Sequence, residues 1–566
     1  MRAAPTVKRS LAPATASVLV VLGLAVAFGA WMLPVNLKSV SPALLKAAGA
    51  GTPTLGAFGR DLVDAEKIGP AALVLAAART TDDPRAPALA AAIDAFATRQ
   101  PGLMVWGGWD PTLDPLFNLR ADSGRRGSTP VLTLFISEKA RTALRNYLAN
   151  SGSLGVQSLL KVREVTATGQ FVPATRPGGQ PLDALILLTG VLYQGGHLSA
   201  PLQRELRGLA DVALARQELG ELEPFFIDLL SLGRRLDWTQ LTELLRRTES
   251  AKTVGEYAHL ARVAPDQLPV IYAAALFSDS SGSSDRVAVY LIQYGKAGLE
   301  DLRIALARGQ GAVRQLLLRQ VPVNRAVTPA LSATGELVLS HPRLMLLVKY
   351  LAYFFGAWLV LHGLDAVIVR PIALAAVPWT LTHMKAGVLA VLFAVLLVVM
   401  TEPYMLKAAP PSEYQLRLGQ RVVLAISNSP VPSTAPPATA TPITMDTSTL
   451  LSIALFASLQ VAMYFACLMK IREVAGQALH PLVKLRLMEN EENLFDGGLY
   501  VGIGGTATAL VLQVLGVIEP NLLAAYSSNL FGITCVALVK IRHVRPYKRQ
   551  LILEGQADIA PRPVTS

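Results

Sequence analysis

Four runs of this chain, 10–37, 447–469, 497–518 and 520–539, contain no Asp, Glu, Lys or Arg. A helix of about 20 apolar residues crosses the roughly 30 Å hydrocarbon layer of a bilayer. In lipid it can do so because its backbone groups are satisfied within the segment. Two further apolar runs are interrupted. The run 344–369 contains Lys349, His362 and Asp365, and the run 386–401 has only 16 residues before Glu402, beyond which it continues into PYML. Over the whole chain 16% of residues are charged and 52% hydrophobic, against about 25% charged in a soluble domain. Confined to six runs, that deficit leaves the remainder with an ordinary soluble composition. The expected fold is therefore mainly α: a polytopic α-helical membrane protein with spans at 17–34, 344–367, 386–405, 447–469, 497–518 and 520–540, and a large α-rich extracytoplasmic domain over 38–343.

Basic residues set the orientation, because cytoplasmic flanks are enriched in Lys and Arg. With the N-terminal segment 1–16 inside, the inner segments carry 15 basic residues and the outer connections after the large domain carry three, Lys407, Arg417 and Arg421. The largest inner cluster is the tail 541–566 with the residue before it: Lys540, Arg542, Arg545, Lys548, Arg549 and Arg562. Both termini are expected in the cytoplasm of a bacterial inner membrane, with 38–343 and 406–446 in the periplasm. The net charge of +12 is then topological, and no nucleic-acid partner is expected. The first run has a basic start and small residues near its end, so it is either an uncleaved anchor or a signal peptide. Cys467 and Cys535, the two cysteines, both lie in expected spans. No disulfide is expected to hold the outer domain, and each thiol is expected as a small packing residue.

Within 38–343, two short β-branched stretches, TPVLTLFIS and KVREVTATGQFV, flank the helical EKARTALRNYLANS. Their alternation predicts a small α/β element over 102–180. From 182 to 320 the periodicity is helical, with helices expected at 221–233, 237–247, 253–263, 265–277, 284–294, 298–308 and 311–319. Such a series folds either as stacked hairpins in a short solenoid or as an irregular bundle. In the second outer segment EYQLRLGQRVVLAIS predicts a hairpin, and SPVPSTAPPATATPIT reads as an extended Pro/Thr-rich spacer.

Nothing in the sequence assembles a catalytic set. The seven histidines are scattered, and there is no HExxH, GxSxG or GxxxxGK[ST]. Trp106 and Trp109 in VWGGWDP read as a packed turn, with a binding groove as the alternative. Neither an enzyme, a cofactor nor a bound metal is expected.

The polar and small residues of the last two spans carry the most functional information. Gly498 and Gly502, Gly505 and Ala509, and Ala524 and Ser528 are each four apart, a spacing that allows close helix approach in lipid. Thr506, Gln513, Ser527, Ser528 and Asn529 are costly against lipid and should face other helices or a pore. At these residues the chain resembles the MotA/TolQ/ExbB family of ion-driven stator subunits. VGIGGTATAL looks like that family's glycine-rich second helix, with Gly502, Gly505 and Thr506 matching, and Pro520 and Gly532 look like the Pro and Gly of its third. The resemblance covers about 447–550. It departs from the family in the short inner segment 470–496, and in having Ala524 and Asn529 where ExbB-type chains carry an acidic residue and a Thr.

The resemblance implies a homo-oligomeric stator or channel component around a single-helix partner bearing an Asp, with pore or helix-packing roles for Gly502, Gly505, Thr506, Gln513, Ser528, Asn529 and Gly532. The outer domain would receive a periplasmic protein partner. The alternative is a non-transporting scaffold in which the spans anchor that domain in the bilayer. His362 and Asp365 are the other intramembrane ionisable candidates, Asp365 pairing with Arg370 near a helix end. Lys349 is expected to snorkel outward. The acidic ENEENLFD at 489–496 is expected as a solvated cap, with cation recruitment to a pore as its alternative.

Overall fold

The structure is a computed structural model, and it describes residues 13–122, 124–125, 127–278, 282–325, 334–364, 379–402, 404, 414, 447–514 and 522–559. It divides into two compact units. One comprises 40–325 and 409–426; the other comprises 1–39, 326–408 and 427–566.

The second of these contains the uncharged runs, and a helix occupies each. We label its principal helices α1 (Pro13–Trp31), α2 (Pro342–Leu364), α3 (Trp379–Thr401), α4 (Thr447–Ala475), α5 (Pro481–Asn490), α6 (Gly497–Val514), α7 (Leu522–Val539) and α8 (Arg545–Ile559). Among the described residues α2 is the helix both long and apolar enough to cross a membrane; the described apolar parts of α1 and α3, Thr15–Trp31 and Leu389–Thr401, are shorter. The mainly helical class therefore holds.

Glycine sets the closest approach between α1 and α2. A Cβ at Gly23 would lie 2.6 Å from the Gly356 carbonyl oxygen, and one at Gly363 would lie 2.8 Å from that of Ala16. Side chains cannot enter that seam without parting the helices. The opposite faces are apolar and exposed: Val18, Val21, Leu24 and Phe28 on α1, and Leu344, Leu347, Leu351 and Phe355 on α2.

The 40–325 unit is helical throughout its described residues. Six of its helices begin at side-chain caps that the sequence supplies. Ser41, Thr54, Ser137, Ser199 and Ser250 each accept a backbone N–H in the first turn, and Asp237 and Gln240 form a reciprocal capping box. The expected C-terminal helices are found at Leu222–Gly233, Trp238–Leu245, Ala251–Val263, Leu268–Phe277, Ser283–Leu306 and Gln310–Arg319. The two predicted at 284–294 and 298–308 are the halves of one element broken at Gly295 (φ 56°, ψ −135°), a backbone conformation that L side chains resist.

Helix Pro42–Gly49 packs on Gln310–Arg319, Ile68–Thr80 packs on Leu268–Phe277, and Val40 pairs with Val323. The beginning and end of the unit thus close on one another as an irregular bundle.

The α/β element over 102–180 is corrected. Among the described residues there is no strand, only isolated bridges at Val40–Val323 and Ala167–Glu218. The stretch TPVLTLFIS contains the helix Val131–Phe135, and KVREVTATGQFV begins with a 3₁₀ turn, Val162–Glu164. Burial explains the first case: Val131, Leu132 and Phe135 all turn into the core, and Phe135 packs beside Trp106, Phe117 and Trp238. A β-branched residue forgoes its strand preference where a buried helical face uses it better. Trp106 is accordingly a packing residue. Trp109 is partly exposed, with the Arg120 guanidinium 5.9 Å from its ring centre. The predicted hairpin and spacer over 413–446 lie outside the described residues, apart from residue 414.

Two buried carboxylates, each joined to at least one cation distant in the chain, fasten this bundle. Asp183 lies 2.8 Å from Arg141, 2.7 Å from Arg163 and 3.4 Å from Arg145. Glu243 meets Lys67, Arg246 and Arg247 at 2.8, 3.2 and 2.8 Å. Burial raises the Glu243 pKa, but Lys67 and Arg247 outweigh it and hold the carboxyl below its usual range.

Candidate functional site

The glycine-rich segment packs as α6 against α7, with α4 completing the contact. A Cβ at Gly532 would stand 2.6 Å from the Gly498 carbonyl oxygen, and one at Gly502 would stand 3.0 Å from that of Ser528. Gly505 faces the Ser528 hydroxyl, which is buried and donates to the Gly502 carbonyl at 3.3 Å. The Thr506 hydroxyl donates to that same carbonyl at 3.0 Å. Gly502, Gly505, Thr506, Ser528 and Gly532 thus converge on one seam inside a single chain. Asn529 borders it, its α-carbon 3.3 Å from the Gly502 Cβ position. Gln513 falls within α6, but its side chain is outside the described residues. Gly504, by contrast, meets nothing within 4 Å.

Sequence reasoning missed Gln460. On α4 it is buried, and its amide donates to the Gly498 carbonyl at 3.0 Å. Its backbone carbonyl accepts from the Cys535 thiol at 3.5 Å. The available signal was a lone amide midway along an uncharged run. Two side-chain oxygens in this unit, Gln460 Oε1 and Asn529 Oδ1, are buried without a hydrogen-bond partner among the described residues, which is costly in an apolar setting. Cys467 and Cys535 are both buried and free, within a core formed by Ile471, Val474, Met488, Phe495, Val539 and Val544.

Beyond the seam, the acidic segment is mostly paired. Asp496 lies 2.7 Å from Lys540, Glu491 lies 3.2 Å from Lys470, and Glu492 lies 3.9 Å from Lys548. These ties, with a 2.8 Å contact between Tyr464 Oη and His543 Nε2, surround a π-helical turn, Lys540–Val544, that joins α7 to α8. Glu489 is exposed. The expected solvated cap is therefore largely a set of ion pairs.

A second constellation joins α1, α2 and α3. Lys349 is buried, contrary to the outward snorkelling expected of it. Its ammonium donates to the Val35 carbonyl at 2.7 Å and to Asn36 Oδ1 at 2.8 Å, and it lies 3.7 Å from Glu402 Oε1. Glu402 in turn accepts from the Leu37 amide at 2.9 Å and the Tyr350 hydroxyl at 3.1 Å. A Lys so held has acceptors for its protons where it stands, which removes the reason to reach for water. His362 is also buried, stacked on Trp358 with ring centres 5.5 Å apart. Asp365 and Arg370 lie outside the described residues.

In the 40–325 unit, polar groups gather around helix Trp238–Leu245. Asp237 is buried and accepts from Ser128 Oγ at 2.6 Å and the Gln240 amide at 2.8 Å. With no cation among these contacts, burial pushes its carboxyl up to about 6 despite them. Gly69 and Gly107 leave its carboxylate room that a Cβ at either position would fill. Nearby, His197 Nδ1 accepts from Arg246 at 2.9 Å, and Nε2 lies 3.2 Å from Asp110. Burial raises the Asp110 pKa, but contact with His197 outweighs it and leaves the carboxyl below its usual range. No nucleophile meets His197 in these contacts, and no group of three metal-ligating side chains occurs among the described residues.

Comparison with protein-family models, with curated proteins and with solved structures gives no match to this chain.

Proposed function

We propose that this chain is a multi-pass protein of a bacterial inner membrane whose six helical runs anchor and present a folded periplasmic domain to a protein partner. The observation that carries this reading is the apolar surface left outside the helix seams. Leu389, Phe393 and Leu396 of α3, Val461 and Phe465 of α4, Tyr500, Ile503 and Leu510 of α6, and Tyr526, Leu530 and Ile533 of α7 are all exposed, as are the faces of α1 and α2 described above. A water-soluble protein rarely exposes apolar surface on so many helices, whereas lipid accepts it. The small residues that suggested a channel are used in packing within one chain, which favours anchorage. The presented domain is a closed bundle fastened by buried ion pairs, a rigid body suited to binding another protein.

The second reading is the TolQ/ExbB-like ion-driven stator or channel component, homo-oligomeric around a single-helix partner with an intramembrane Asp. The unpartnered oxygens of Gln460 and Asn529 favour it, since a hydrated path would satisfy them. The two readings separate on substitution. Thr506→Leu and Asn529→Leu should leave an anchoring protein working and should abolish ion-coupled work. Joining 40–325 to an unrelated single-span anchor should preserve function only under the scaffold reading.

A further inference from the structure

The cations around α7 and α8 fall into two chemical groups. Lys540 and Lys548 point to carboxylates, Asp496 and Glu492, within the unit. Arg542, Arg545 and Arg549 are exposed and have no carboxylate within salt-bridge distance among the described residues. Arg545 and Arg549 are four apart on α8 and so share a face, while Arg542 precedes them in the π-turn. Exposed apolar side chains accompany them: Ile541 before, Ile552 and Leu553 after.

Depth follows from helix geometry. At about 1.5 Å per residue, Arg542 and Arg545 stand roughly 5 and 9 Å beyond Val539, and Arg549 stands about 15 Å beyond it. If Val539 marks the hydrocarbon edge, the headgroup layer occupies about the next 5–7 Å. Arg542 and Arg545 then lie at or just past phosphate level, and Arg549 lies within about one further Debye length.

We propose that Arg542, Arg545 and Arg549 form a docking face for the phosphodiester headgroups of anionic phospholipids in the inner leaflet. Guanidinium suits this role because its planar fork makes two parallel bonds to phosphate oxygens. Glu491, Glu492 and Asp496 are engaged by lysines, so they do not neutralise the arginines. Exposed Ile541, about 3 Å beyond Val539, matches the acyl boundary beneath a headgroup better than it matches a soluble anion. The proposal rests on the membrane reading given above.

The test uses the full-length protein. Membranes are first extracted with alkaline carbonate. Release of the chain would contradict the membrane reading and this proposal together. A retained chain is then purified in a neutral detergent and titrated with phosphatidylglycerol or phosphatidylcholine, bound lipids being counted by native mass spectrometry. The wild type should prefer phosphatidylglycerol, and each Arg→Gln change at 542, 545 or 549 should weaken that preference about fivefold. The triple variant should bind both lipids equally, and an R204Q control, on exposed Arg204 of the 40–325 unit, should not change the preference. A retained wild type with no preference, or a triple variant that keeps it, would overturn the proposal alone. Competition by millimolar inorganic phosphate as effective as the lipid would assign the face to a soluble anion, and selective capture of an acidic peptide over phosphatidylglycerol would assign it to a protein; either result would overturn the lipid proposal.

Discussion

Lys349 and Glu402 face each other at 3.7 Å from two different helices, and between them they grip both sides of the segment that leaves α1. The lysine takes the Val35 carbonyl and the Asn36 side chain, and the glutamate takes the Leu37 amide. Removing one member of such a pair leaves the other buried without its countercharge, typically at a cost of about 3–5 kcal/mol. Lys349→Met should lower the stability of the full chain in detergent by about that amount. Adding Glu402→Gln to that variant should recover part of the loss, because the amide oxygen can still accept from Leu37 and its NH2 can donate to the Tyr350 hydroxyl oxygen without carrying charge. Thermal denaturation of the wild type, the single variants and the double variant checks this. Additive losses would show that the two residues are not coupled.

The glycines of VGIGGTATAL should respond unequally to the same substitution. Gly504→Ala meets open space and should be neutral, or stabilise the helix by up to about 1 kcal/mol. Gly502→Ala, together with Gly532→Ala on the facing helix, must push against backbone at 3.0 and 2.6 Å. Each should cost about 1–3 kcal/mol through overpacking. Equal effects at 504 and 532 would mean that α6 and α7 do not meet along this seam.

Asp237 gives the 40–325 unit a defined pH response. Its folded pKa of about 6 lies above the ordinary Asp value of about 3.9, so the folded state binds the proton more tightly than the unfolded state. Its neutral form fits the buried site, and stability is lost as pH rises from about 4 to 6, by roughly 3 kcal/mol at most. Asp237→Asn keeps an N-cap acceptor and should flatten that part of the pH profile. Hydrogen exchange of the amides in Trp238–Leu245, followed in the full chain between pH 4 and 7, reads the difference. An unchanged slope in the variant would place the titration elsewhere.

The helical runs could be read from the sequence because missing charge is a local property. The run beginning at 447 opens α4, the run beginning at 497 opens α6, and the run ending at 539 closes α7. Caps likewise act on their own first turn, as Asp237 and Ser250 do for Trp238–Leu245 and Ala251–Val263. What the sequence hid were choices made by distant neighbours. Val131 and Phe135 are helical because a core composed of far residues receives them. Lys349 is buried because partners more than 300 residues before it, at Val35 and Asn36, meet its ammonium. The glycines of the α6–α7 seam were recognisable as packing residues, but Gln460 was not, since its partner Gly498 lies in another helix.

Anchorage of a periplasmic domain requires that 40–325 and the α8 tail lie on opposite sides of one membrane. Both native thiols are buried, so an exposed position on each side can carry a new one: Leu154→Cys in the first unit and Leu553→Cys on α8. A membrane-impermeant maleimide applied to spheroplasts should label Cys at 154 at once and Cys at 553 only after lysis. Labelling of 553 in intact spheroplasts, or protection of 154, would contradict the account.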